Sequence, residues 1–123
     1  MPRAWAELLA RDARFRLVIK NDAAADAGER KHHLARLAAA GLPADRVELR
    51  PASPHAQALR EYGDVDIALD AFPYNGGITT LEALYMGRPV VAFAGGTLIS
   101  RQSAAILRAA GLDELVATDV HSM

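Results

Sequence analysis

Residues 66–89 read D-I-A-L-D-A-F-P-Y-N-G-G-I-T-T-L-E-A-L-Y-M-G-R-P, and the groups able to do chemistry concentrate there. Asn75, Gly76, Gly77, Ile78, Thr79 and Thr80 supply a flexible backbone and then hydroxyls at a predicted helix start. Such a start presents N–H groups without intrahelical acceptors and about half a unit of positive charge, so it suits a phosphate. The glycines allow positive φ and a close approach of an anion to the backbone. The threonines can donate to phosphate oxygens or simply cap the helix, and both readings stand. Glu82 follows Thr79 by three residues and shares its helix face. It can accept from ribose hydroxyls or close a capping box with Thr79.

Other chemistries fit poorly. No lysine follows the glycines, so this is no Walker loop, and G-x-G-x-x-G is not matched either. Asp66 and Asp70 flank a predicted strand at opposite ends and cannot form a carboxylate pair; Asp70 could line a crevice or cap the turn. The histidines at 32, 33, 55 and 121 lack a metal-ligand spacing, so no metal and no cofactor is expected. There is no Gly-x-Ser-x-Gly elbow, and no residue stands out as a catalytic base.

An anion seat needs elements to carry it. Trp5, Leu8 and Leu9 recur at helical spacing, and residues 15–19 form an apolar strand closed by Lys20-Asn21-Asp22. Residues 23–30 are a loop or a helix start. A helix over 29–40 carries Leu34, Leu37 and Ala38 and stops at Gly41. Residues 46–50 are a second strand ended by Pro51. Ser53 suits an N-cap and Pro54 the first position of a short helix through residue 62. Residues 65–69 make a third strand, 79–86 a helix ended by Gly87, and 90–93 a fourth strand. A helix over 100–110 stops at Gly111, and 112–116 is a last short element.

Short apolar strands alternating with helices predict an α/β fold, a Rossmann-like parallel sheet of at least four strands with helices on both faces. Ligands in such sheets bind beyond the carboxyl ends of the strands. The loops at 20–22, 51–55, 71–79 and 94–100 lie at that edge.

Composition bounds the possibilities. The chain has 123 residues, enough for one domain with a core, and 51% are apolar, which excludes a disordered tail. Net charge is −1 without a basic run, so nucleic acid is not an expected partner. No cysteine is present, which suits a reducing cytoplasm, and no apolar run approaches the ~20 residues of a spanning helix. The helical pattern begins almost at Met1, so residues 1–123 read as a single lobe cut from something longer.

Residues 66–91 resemble the carboxyl-terminal catalytic lobe of the O-linked N-acetylglucosamine transferases, the tetratricopeptide-linked SPINDLY-type family, with the bacterial members nearest. The resemblance continues through A-G-G-T-L-I-S-R-Q-S-A-A-I-L-R-A-A-G-L-D-E-L-V-A and reaches back to R-V-E-L-R-P-A-S-P, covering most of residues 46–117. It implies a GT-B glycosyltransferase in which this lobe holds the donor, UDP-N-acetylglucosamine, and a protein is the acceptor. On that resemblance the turn containing Ser53, Pro54 and His55 reads the uracil, Gly77, Ile78 and Thr79 seat the diphosphate, and Glu82 holds the ribose. Asn75, Gly76 and Thr80 complete the same turn. Many relatives carry threonine where Ile78 stands and a stacking histidine where Ala58 stands. The resemblance also implies that the first lobe and the repeats lie outside the chain, so transfer by residues 1–123 alone is not expected. A related asparagine glucosyltransferase lobe and a degenerate folding or interaction domain are the alternatives. Weak self-association through the surface that would meet the other lobe is a further expectation.

Overall fold

The computed structural model describes residues 1–117 and residue 119. They group into two compact units, Met1–Pro54 and the unit that begins at His55.

In the first unit, α1 (Pro2–Arg11) opens with proline at its first turn, where the missing N–H costs nothing. Then come β1 (Leu17–Lys20), a 3-10 turn at Asp22–Ala25, α2 (Ala27–Ala39) and β2 (Val47–Arg50). The strands pair in parallel with Leu17 opposite Val47 and Ile19 opposite Leu49. Leu9, Ala24, Leu37, Leu42 and Leu49 form the core, with Trp5, Leu17, Ile19 and Leu34 packed against it. The Asp26 carboxylate caps α2 through the Glu29 N–H at 2.8 Å. Arg46 donates to the Leu9 and Asp12 carbonyls at 2.8 and 3.1 Å, closing the end of α1. The strand expected over 15–19 starts two residues late, because the Phe15 N–H turns back to the Asp12 carbonyl and its ring stays exposed.

The second unit runs α3 (His55–Glu61), a 3-10 turn at Tyr62–Asp64, β3 (Ala68–Leu69), α4 (Ile78–Tyr85), β4 (Val90–Phe93), a 3-10 turn at Ile99–Arg101 and α5 (Gln102–Ala109). A 3-10 turn at Asp113–Leu115 leads into β5 (Val116–Ala117). β4 is central, with β3 and β5 parallel on either side. Its Val90 and Ala92 are buried with Ala83 and Leu107, and Tyr62, Leu84, Leu112 and Leu115 pack around them. Small residues at 83, 92 and 104 let the helices approach β4 closely.

The parallel α/β alternation is as expected, but the strands hydrogen-bond as two sheets of two and three strands. β3 is shorter than residues 65–69. Ala68 and Asp70 donate backbone bonds toward β4, to the Pro89 and Val91 carbonyls, and Ile67 is exposed. The glycine stops fall where expected. Gly41, Gly87 and Gly111 take φ of 91°, 72° and 73°, and the next N–H returns to the helix at Leu37, Ala83 and Leu107.

Candidate functional site

The turn from β3 to α4 is built on buried polar side chains. Asp70 leaves β3 buried, and its Oδ1 accepts the Gly76 N–H at 2.7 Å. From α5, the Ser103 hydroxyl donates to the Gly76 carbonyl at 2.8 Å and lies 2.8 Å from Thr80 Oγ1. Asn75 is buried and donates from Nδ2 to the Ala71 carbonyl at 2.9 Å. Both backbone groups of Gly76 are thus held by side chains from separate elements. Burial pushes the Asp70 carboxyl above its ordinary range, and the Gly76 N–H that it accepts holds it back in part.

The glycines work differently from the expectation of positive φ. Neither Gly76 nor Gly77 is among the positive-φ glycines. A Cβ on Gly76 would sit 2.5 Å from Thr79 Oγ1 and 2.8 Å from Thr80 Oγ1, so the missing side chain is what lets the threonines fold over the turn. A Cβ on Gly77 would meet only Gln102 Oε1, at 3.4 Å.

α4 begins at Ile78, one residue before the expected start, with Gly77 as N-cap and no side-chain cap. The capping box between Thr79 and Glu82 is not formed, since Thr79 lies inside the helix. Glu82 Oε1 instead lies 2.7 Å from His55 Nε2. The imidazole is largely exposed, while the carboxylate is only 21% exposed. Tyr62 donates from its hydroxyl to the Thr79 carbonyl at 3.2 Å. Burial, and then the negative charge of Glu82, raise its phenol above the ordinary range.

The fold therefore gathers His55, Glu82, Tyr62 and Thr79 around the start of α4, with Ile78 and Thr79 exposed and Asn75 and Thr80 turned inward. Ser53 and Pro54 close the first unit, where the Ser53 hydroxyl takes the Lys20 ammonium. α3 begins at His55, so Pro54 is not its first helical residue. Phe72 of the β3–α4 turn meets Phe93 at the end of β4 edge-on, with ring centroids 4.8 Å apart, and on the loop after β4 the Gly95 N–H donates to the Ser100 carbonyl at 2.7 Å.

Ser103 and Tyr62 escaped the sequence reading. Ser103 lies one turn before Leu107 on the buried face of α5, and a polar residue on an apolar stripe was the available signal. Among the described residues no three His, Cys, Asp or Glu side chains gather to hold a metal, and no helix is long and apolar enough to cross a membrane. His121 lies outside the described residues.

The family model described as Glycosyl transferase family 41 matches residues 4–123. The chain is similar to three plant proteins described as probable UDP-N-acetylglucosamine–peptide N-acetylglucosaminyltransferase SPINDLY. It is 39% identical over 119 residues to that of Oryza sativa subsp. japonica, 38% to that of Arabidopsis thaliana and 36% to that of Solanum lycopersicum. Each match covers 94% of this chain but only 12–13% of the relative. The solved structure of a mutant Thermobaculum terrenum O-GlcNAc transferase superposes with a TM-score of 0.94 at 36% identity, over 98% of this chain and 23% of that one. The α/β fold of a GT-B carboxyl-terminal lobe, expected from the alternation of elements and the resemblance, holds.

Proposed function

The chain belongs to glycosyl transferase family 41, and from that premise we propose that it is the donor-binding part of a protein O-glycosyltransferase that takes a UDP-sugar, UDP-N-acetylglucosamine in the first place. The observation that carries this is the start of α4, uncapped by any side chain, with Glu82 one turn on and its carboxylate steered by His55.

The N–H groups of Gly77, Ile78 and Thr79 and the helix dipole receive the diphosphate and stabilise the charge that grows on departing UDP. The exposed Thr79 hydroxyl adds a donor. Ile78 contributes its backbone N–H, since its side chain has no hydrogen to give. Glu82 Oε1 is engaged by His55, and the carboxylate's other oxygen accepts from the ribose. Asn75, Gly76 and Thr80 shape the turn from inside. Ser53, Pro54 and His55 stand for the uracil-reading segment. No residue of this chain is assigned as base. Residues 1–123 form one lobe of a longer enzyme and are inactive alone, the protein acceptor being bound by the full-length protein. The reading carries a cytoplasmic location, which the cysteine-free composition suits.

Titration calorimetry on the full-length natural protein tests it. Saturable UDP binding below millimolar nucleotide, weakened in Thr79→Ala and Glu82→Ala, is the expected result. Unchanged binding and transfer in both variants would leave only a folding or interaction domain.

A further inference from the structure

We infer that Ser103 is a positioning residue of the donor turn: by holding the Gly76 carbonyl inward, it aims the Gly77 N–H outward at the diphosphate. This rests on the UDP-sugar reading above and adds a residue that lies on another helix and touches no substrate.

The stereochemistry is that of a planar peptide. Gly76–Gly77 is trans, the only cis bond among the described residues being Phe72–Pro73. In a trans unit the C=O and N–H point in opposite directions. Ser103 Oγ donates to the Gly76 oxygen at 2.8 Å from a position with no solvent exposure. The Gly77 N–H of that same unit must then point away from Ser103. A serine hydroxyl has one hydrogen, and here the Gly76 carbonyl takes it. Thr80 Oγ1, 2.8 Å away, is therefore the donor in the Thr80–Ser103 contact.

A lock is needed at this bond more than at most. A Gly-Gly peptide can rotate between two orientations with little steric resistance, because neither flanking residue has a Cβ. Rotation would replace the outward N–H by an outward carbonyl, an acceptor facing an anion. Asp70 restrains the preceding unit by taking the Gly76 N–H at 2.7 Å, but it leaves the Gly76–Gly77 unit to Ser103.

The experiment measures UDP affinity by calorimetry in the full-length protein with Ser103→Ala, Ser103→Cys and Leu107→Ala. Leu107 is fully buried one turn along α5 in the apolar cluster with Ala83, Val90 and Ala92, so it reports loss of helix packing. A charge-assisted hydrogen bond lost or misdirected predicts on the order of tenfold weaker UDP binding for Ser103→Ala. Ser103→Cys, near in volume and a weak donor, should lose affinity in the same direction while keeping the fold. Leu107→Ala should bind as wild type at temperatures where it is folded. Wild-type affinity in both Ser103 variants, or equal losses in Ser103→Ala and Leu107→Ala, would overturn the lock while leaving the site reading intact. A wild-type protein that binds no UDP would instead remove the site reading itself.

Discussion

His55 Nε2 and Glu82 Oε1 lie 2.7 Å apart, joining the first residue of α3 to the second turn of α4. The contact orients the Glu82 side chain, and in the proposed donor site its second oxygen is the one that accepts from a ribose hydroxyl. An exposed imidazole makes the contact worth under about 1 kcal/mol to the fold. His55→Ala should therefore leave the urea midpoint nearly unchanged and weaken UDP a few-fold. Glu82→Ala should weaken it on the order of tenfold or more, the range for a hydrogen bond to a charged group.

Gly76 and Gly77 should behave oppositely on substitution. Alanine at Gly76 drives its Cβ to 2.5 Å from Thr79 Oγ1, so thermal melts of Gly76→Ala should show a destabilisation of about 1–3 kcal/mol. Gly77→Ala meets only Gln102 Oε1 at 3.4 Å and should melt within about 0.5 kcal/mol of wild type. In the proposed donor site its methyl group would stand where the diphosphate approaches, so UDP titration should still show weaker binding. Equal stability of the two variants would contradict the geometry.

Asp70 sets a pH dependence with a definite sign. Burial raises its folded-state value above the ordinary 3.8. Its contribution to stability is then fully present below about 3.8 and is lost as pH rises through the raised value. Asp70→Asn keeps an oxygen for the Gly76 N–H and carries no charge. In urea melts taken from acid to neutral pH, wild type should lose stability relative to this variant as pH rises. A difference that stays flat, or runs the other way, contradicts the assignment. Asp70→Ala removes the acceptor and should cost about 1–3 kcal/mol at any pH.

Leu107→Ala should destabilise the second unit by about 2–5 kcal/mol, the cost of emptying a fully buried leucine site. Urea denaturation at fixed pH measures it.

Much of this was legible in the chain because periodicity and glycine stops are local signals. β4 fell on residues 90–93, and Gly41, Gly87 and Gly111 ended their helices as read. The resemblance around residues 66–91 pointed to the family to which the chain belongs. What sequence spacing could not show was contact across the fold. Glu82 stood equally well for a capping box or a ribose acceptor; the start of α4 at Ile78 removes the box, and His55, 27 residues upstream, lies beside the carboxylate. Thr80 looked like a hydroxyl for the ligand, and Ser103, 23 residues on, draws it inward. Gly76 looked like a source of positive φ, whereas its use is the space that two threonines occupy. Asp70 was left between lining a crevice and capping the turn; it caps the turn.

UDP binding to the full-length natural protein, by titration calorimetry with wild type and Glu82→Ala side by side, is the most direct measurement. A saturable heat below millimolar UDP in wild type, on the order of tenfold weaker in Glu82→Ala, is the predicted result. No heat at millimolar UDP in wild type, or identical curves for the two proteins, would contradict a donor site at the start of α4.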